Sequence, residues 1–341
     1  MNSISYNFYN VYGVRIDGLK PYVVPDIHKF LAFRAPRIEL PDLLVEIGPF
    51  QPDLTNTVSV DHRYAIRRDY IYWKDKVKGR CFQAEIQGVD SDKTLIRFHA
   101  DWRNRLNYPW MLFPDWTLNL YLLQPFLEYK LAERGIYFLH SGGVVKDGKG
   151  ILIAGRGGSF KTSFVMELLR QGYSLLGDDL VALSGGLLLP HPIWINFLAF
   201  LTRNCESESL HIPGQFRLFV DLWFHQEPAP LDIATQAIPG TINLIYRCVQ
   251  NKPQTRSMRA IEEIVSSLRS NNELERLTSV SYRYVIGQFL DAYGYVFPEH
   301  FLHTYWANWG HQVQQLVAAS KSQRLDIPLK WHADNVSYLL V

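Results

Sequence analysis

The stretch ILIAGRGGSFKTS, Ile151 to Ser163, decides how this chain is read. Four apolar residues ending at Ala154 suit a strand. A Gly-rich turn follows: Gly155, Arg156, Gly157, Gly158 and Ser159. Phe160, Lys161, Thr162 and Ser163 then lead into an amphipathic run with Phe164, Val165, Leu168 and Leu169 on one helical face. Gly172 closes that helix. Strand, Gly-rich loop and helix in this order are the setting of a phosphate-binding loop. Glycines let backbone N–H groups converge as an anion nest. The helix N-terminus adds positive partial charge. Lys161 would reach the β- and γ-phosphates of ATP, and the Thr162 hydroxyl would ligate Mg²⁺.

One position departs from the consensus G-x-x-x-x-G-K-[ST]. Phe160 stands where the second glycine belongs. A side chain there demands an ordinary φ and gives up close backbone approach. The ring can point away from the phosphates if Gly157 and Gly158 supply the turn. The competing reading is a Gly-rich strand-to-helix turn with an incidental Lys-Thr pair.

Working outward, Tyr173–Leu176 and Leu180–Leu183 read as short strands around Gly177, Asp178 and Asp179. Two carboxylates at a strand end beside a phosphate nest suit one Mg²⁺ contact and one proton acceptor. The same residues also make an ordinary Asx turn. Upstream, Ile136–Val145 reads as a strand carrying His140, with a turn at 147–150 leading into the Ile151 strand. A histidine one strand before the loop is a candidate for its chemistry, although most strand histidines only pack.

Farther out the texture changes near Pro114. Residues 1–111 read as a small β-rich domain. Its apolar runs Val11–Ile16, Leu43–Ile47, Ala65–Trp73, Cys81–Ile86 and Thr94–His99 are punctuated by Pro, Asp and Gly. Residues 112–341 read as the second domain. It opens with a helix capped at Asp115, kinked or split at Pro125 and stopped at Gly135. Its later part holds a strand at Gly240–Val249 and a basic loop with Lys252, Arg256 and Arg259. Helices are expected over Ala260–Arg269, Tyr282–Tyr293 and Trp306–Ser320, and a last strand over Leu325–Leu329. Cations are mildly unfavourable at a helix N-terminus, so Arg256 and Arg259 there suggest an anion.

The 35 Lys+Arg against 33 Asp+Glu leave a net charge of +2, which gives no reason to expect a polyanion partner for the whole chain. At 47% hydrophobic residues the chain is not disordered. No signal peptide and no membrane-spanning run is visible, and the three cysteines (Cys81, Cys205, Cys248) show no CxxC spacing. The expectation is a reduced, cytoplasmic protein without a disulfide framework.

Taken together, GIYFLHSGGVVKDGKGILIAGRGGSFKTS followed by ELLRQGYSLLGDDLVAL resembles the HPr kinase/phosphorylase family. More broadly it resembles that family's stand-alone relatives, whose P-loop fold is akin to that of phosphoenolpyruvate carboxykinase. The resemblance covers about Asn119 to Leu183. A weaker match runs through TINLIYRCVQNKPQTRSMR. It implies an α/β P-loop kinase domain preceded by a small β-rich domain, and ATP- and Mg²⁺-dependent phosphorylation of a serine hydroxyl on a peptide or protein. Gly155 to Ser163 then match the nucleotide-binding positions, with Thr162 on the metal. Asp178 matches the general base and Asp179 its metal-side neighbour. His140 matches an active-site histidine and Arg259 a phosphate-contacting arginine. The Glu-containing signature of the bifunctional members is not found; LLLPHPIWINFLAF stands there, so neither phosphorylase activity nor HPr as substrate is carried over. The β-rich leader resembles that of stand-alone relatives, some of which modify precursor peptides of natural-product pathways.

Two weaker signals were weighed. Residues 61–80 interleave bases with Tyr64, Tyr70, Tyr72 and Trp73, a pattern of single-strand binders. Asp61, Asp69 and Asp75 dilute it, which leaves a solvated strand face or a peptide-docking surface and no nucleic acid. His300 and His303 beside Glu299 have helix-face metal spacing but no further partners. The expectation is therefore a kinase with no membrane or nucleic-acid partner, and a homo-oligomer stays open. A nucleotide-binding scaffold of the same fold, with weak or lost chemistry, is the alternative that Phe160 favours.

Overall fold

Strands dominate the described residues and sort into two mixed sheets, with helices packed around them. The structure is a computed structural model describing residues 2–19, 30, 32–77, 80–100, 118, 122–192, 232–278, 287–329 and 337–340. Two compact units emerge. One is Met1–Arg134 with Leu277–Tyr305, the other Gly135–Arg276 with Trp306–Val341.

The first unit holds β1 (Asn2–Phe8), β2 (Tyr12–Leu19), β3 (Arg34–Ala35), β4 (Leu43–Ile47), β5 (Val58–Val60), β6 (Tyr64–Arg67), β7 (Tyr70–Val77), β8 (Arg80–Gln87) and β9 (Thr94–Ala100). They form one sheet in the order β3-β1-β2-β4-β9-β8-β7-β6-β5. The pairs β2–β4 and β4–β9 are parallel and the others antiparallel. Period-two burial is plain in β9, where Thr94, Ile96, Phe98 and Ala100 point inward. The run Ala65–Trp73, expected as one strand, is two strands folded back at Arg68 and Asp69, the latter with φ 63°. Its arginines are matched by acids: Arg63 bonds Asp75, Arg67 bonds Asp53 and Arg68 bonds Glu299.

Helix α1 (Gln124–Glu133) carries Pro125 in its first turn, where a missing N–H costs nothing. Leu118 and the π-turn at Leu122 and Leu123 are helical before it, so the regular helix restarts at an interruption just ahead of Pro125. The Asp115 cap lies outside the described residues. Gly135 ends the helix at φ 78°.

The sequence reading took 112–341 as one continuous domain, whereas the compact units assign 277–305 to the first unit. Side chains of α4 (Gln288–Val296) explain why. Phe289 stacks on Trp73 with centroids 4.9 Å apart. The Tyr293 hydroxyl accepts the Asp69 N–H at 2.8 Å and donates to Asp90 at 2.6 Å.

In the second unit, β10 (Tyr137–Lys146) and β11 (Lys149–Gly155) make an antiparallel hairpin. Then come α2 (Lys161–Arg170), β12 (Ser174–Gly177), β13 (Leu180–Ser184), β14 (Leu187–Leu189), β15 (Ile238–Cys248), β16 (Gln254–Met258), α3 (Ile261–Thr278), α5 (Leu302–Ala318) and β17 (Lys321–Pro328). The sheet order is β14-β13-β10-β11-β15-β17-β16, with β12 also on β10. Strands β11, β15 and β17 run parallel. The expected basic loop after β15 is in fact the edge strand β16, so Arg256 lies on a strand and Arg259 just past its end. The apolar face of α2, Phe164, Val165 and Leu168, packs on Ile151, Ile153 and Ile245.

The expected strand at Leu325–Leu329 is longer and starts at Lys321. The start of the helix expected at Tyr282 lies outside the described residues, as does Cys205. Cys81 and Cys248 are free thiols. No helix among the described residues is long and apolar enough to cross a membrane.

Candidate functional site

The loop from Gly155 to Phe160 leaves the carboxyl end of β11, beside the carboxyl ends of the parallel strands β15 and β17. That end of an open sheet is where ligands collect in α/β folds. Glycines bring the pieces close. A Cβ on Gly142 of β10 would stand 2.7 Å from Val165 Cγ2, so α2 lies tight against that strand. A Cβ on Gly155 would meet Ser159 Oγ at 2.6 Å and the Ile245 carbonyl at 2.9 Å.

Within the loop, Gly157 and exposed Gly158 (φ 82°) form the turn, closed by Ser159 N–H to the Arg156 carbonyl at 3.0 Å. Arg156 is half-buried. Phe160, expected to keep an ordinary φ, instead sits left-handed at φ 68°, ψ 22° and starts α2. The backbone thus keeps the glycine-type conformation without the glycine, at a cost of about 1–2 kcal/mol. Two contacts offset it. The ring packs against the core cluster, and the Arg247 guanidinium lies 4.1 Å from its centroid. Thr162 and Ser163 follow in the first turn of α2, half-buried, where helix amides point toward the loop.

Lys161 is 93% buried and donates 2.7 Å to the Gly155 carbonyl. Its ammonium also lies 2.9 Å from His140 Nε2. An ammonium can only donate, so Nε2 accepts and the ring proton is assigned to Nδ1. That atom stands 3.4 Å from Asp179 Oδ1. Asp179 therefore stands beside the Lys161–His140 pair without closing a hydrogen bond to it.

His140 itself is buried in β10 and held by α3. Asn272 Oδ1 accepts the His140 N–H at 2.8 Å, and Asn271 Nδ2 donates to the His140 carbonyl at 2.7 Å. Asn272 Nδ2 and the Trp309 indole both donate to the Phe138 carbonyl. The β10–β11 pairing begins only at Ser141. These side chains take over where the partner strand stops.

Asp178 and Asp179 occupy the turn between β12 and β13. Gly177 makes the turn, since a Cβ there would meet the Leu180 carbonyl at 2.1 Å. Asp178 is 99% buried, and burial pushes its carboxyl up to about 7. Asp179 adds to the rise, while the nearby Thr162 hydroxyl and Lys161 ammonium hold it back. Even so, among the described residues neither Asp178 oxygen reaches a hydrogen-bond partner, and buried Ser159 Oγ has none. Buried polar atoms without partners mark places where a ligand or ion is expected.

Arg259 does not join this group. It follows Met258, which pairs with Ser322; that row continues to Ile242 and Leu152. Gly155 is thus roughly 10 Å farther along the strands, and three strands across at about 4.8 Å each. The cation that does reach the loop is Arg247, which the sequence reading passed over. Burial pushes its guanidinium down from its ordinary value. The asparagine pair was passed over too. It had a signal, because two adjacent asparagines inside a helix are poor helix formers and imply a tertiary duty. His300 and His303 serve packing: His300 Nε2 meets Asp90 at 2.8 Å and Tyr129 at 2.9 Å, and His303 Nε2 meets the Gly294 carbonyl.

No family model matches the chain, and no curated protein matches its sequence.

Proposed function

We propose that the chain is a kinase that transfers the γ-phosphoryl group of ATP to a serine hydroxyl on a peptide or protein. The carrying observation is the Asp178 carboxyl, buried without a hydrogen-bond partner beside Lys161 and Thr162, with its proton affinity raised to about 7. A general base works best when its pKa lies near the working pH.

The loop amides and Lys161 bind and orient the phosphates. Ser159 Oγ would donate to one of them. His140 holds the Lys161 ammonium in place, with its Nδ1 side turned toward Asp179. Asp178 takes the proton of the acceptor hydroxyl as the new P–O bond forms and the β–γ bridge breaks. Thr162 and Asp179 would hold Mg²⁺, which would supply neutralisation of phosphate charge. Few carboxylates suit this ion, since Mg²⁺ keeps waters and phosphate oxygens in its shell. Arg156 in the loop and Arg247, stacked on Phe160, are further cations for charge developing at the phosphates.

A second reading is a nucleotide-binding scaffold. It draws on Phe160, whose ring stands where a bare backbone is usual. Incubation with Mg²⁺, γ-labelled ATP and serine-containing peptides separates the two. Label transfer that disappears in Asp178→Asn supports the kinase. Tight ATP binding with no transfer and no ADP release overturns it in favour of the scaffold.

A further inference from the structure

A second polar cavity lies in the same unit, at the opposite end of the parallel strands. It measures about 570 Å³ and is lined in part by Thr241, Ser257, Arg259, Lys321 and Ser322, with Ile264 and Val317 beneath. Thr241 pairs with Ile151 and Lys321, at the amino ends of β11, β15 and β17. The loop at Gly155 is therefore about 13 Å away along the strands.

Four features of this cavity point to an anion. Arg259 and Lys321 are exposed and make no ion pair among the described residues. The amino end of α3, an 18-residue helix, opens here at Ile261, with its first helical bond from Ile264 N–H to the Ala260 carbonyl. Its earlier amides have no helical acceptor and favour negative charge. Most telling is Ser322, a residue of the cavity wall that is 92% buried and whose Oγ has no hydrogen-bond partner among the described residues. A buried hydroxyl left without a partner is costly unless a ligand takes it. Glu262 and Glu263 follow in the first turn but are exposed and outside the lining.

We propose that this cavity is an anion site for a small phosphomonoester. Its oxygens would accept from Arg259, Lys321, Ser322 Oγ and the first amides of α3. Its organic part would rest on Ile264 and Val317. The volume favours an organic phosphate over the bare ion, since small-molecule pockets run to roughly 300–1,000 Å³. Its place at the far end of the sheet separates it from the proposed nucleotide loop, so the inference stands without the kinase reading.

Calorimetric titration of the full chain with glycerol 3-phosphate and with inorganic phosphate tests it. Lys161→Ala removes the strongest phosphate ligand of the Gly155 loop, and saturable binding should survive that change. Adding Arg259→Ala and Lys321→Ala should then weaken it about tenfold or more. Ser322→Ala in the otherwise unchanged chain should weaken the same phase about threefold or more while raising the melting temperature of the ligand-free protein. Inorganic phosphate binding as tightly as the ester keeps the oxyanion site and assigns it to the free ion. Binding that vanishes with Lys161→Ala, or that ignores both Ser322→Ala and the double cation change, overturns the proposal.

Discussion

His140 Nε2 lies 2.9 Å from Lys161 Nζ, and the same ammonium donates 2.7 Å to the Gly155 carbonyl. The loop lysine is thus held at both ends of its reach before any phosphate arrives. Lys161→Ala should lower ATP affinity about 10- to 100-fold, the range of a lost charge-assisted bond. His140→Ala should lower it less, about 3- to 10-fold, because the charge remains but loses its guide. Titration with a fluorescent nucleotide reads both, and equal losses would reject the guiding role.

Asp178→Asn separates chemistry from binding. Transfer should fall about 10²–10⁴-fold, while nucleotide affinity stays within about threefold. The wild-type rate should climb with pH through about 7 as the carboxylate forms. Stability runs the other way. The folded-state pKa is raised above the unfolded value, so its contribution is full below about 3.8 and is lost as pH rises through about 7. Asp178→Asn should therefore stabilise the protein at pH 8, on the order of 2–4 kcal/mol by urea denaturation.

Asn272→Ala strands the His140 N–H and removes a donor from the Phe138 carbonyl. The expected loss is about 1–3 kcal/mol of stability. If the amide orients His140, a double-mutant cycle with His140→Ala on nucleotide affinity should show coupling. Additive effects would make Asn272 a packing residue only.

Phe160→Gly frees about 1–2 kcal/mol of left-handed strain. It also removes a ring packed on the core and under Arg247, and it loosens the unfolded chain by roughly 0.5–1 kcal/mol. The losses win, so the melting temperature should fall by a few degrees, for about 1 kcal/mol net. ATP affinity should hold or rise, as the amides gain closer approach. A drop in affinity would mean that the ring itself contacts the nucleotide.

His191 is 99% buried, edge-on to Phe138 at 4.8 Å, and burial pushes its imidazole down to about 3. Burial also lowers His300, against the pull of Asp90. For both, the unfolded chain takes the proton first. Their contribution is full above about 6.5 and is lost as pH falls toward the folded value. His191→Leu should flatten the fall in urea midpoint between pH 6 and 4. An unchanged slope would place the acid sensitivity elsewhere.

The hairpin, the Gly-rich loop, its helix and the acidic turn could all be read from residues 136–183, because each is written in local pattern. Apolar strands end at glycines, and one helical face is apolar. Strand β16 could not, since QTRSM has no alternation; only pairing with β17 makes it a strand. Pro125 was legible too, because a ring that cannot donate an N–H interrupts a helix, and a π-turn at Leu122 and Leu123 stands just before it. The placement of Arg259 was out of reach for another reason. The resemblance put it at the phosphates, and strand register puts it at the other end of the sheet. Phe160 shows the limit of a residue-type rule: core contacts hold it in a conformation its side chain disfavours.

The tie between Asp69 and Tyr293 spans 224 residues of chain. A ribosome adding about 5–20 residues per second needs roughly 11–45 s to cover that distance. Throughout that interval the nascent β-rich sheet must wait with Trp73 uncovered, because Phe289 has not yet been made. Long-range closure of this kind slows folding and lengthens exposure of sticky surface. A fragment cut near residue 111 would stay in that waiting state permanently. Its aromatic face would be a target for holdase chaperones, and a fusion carrying residues 287–305 should release it.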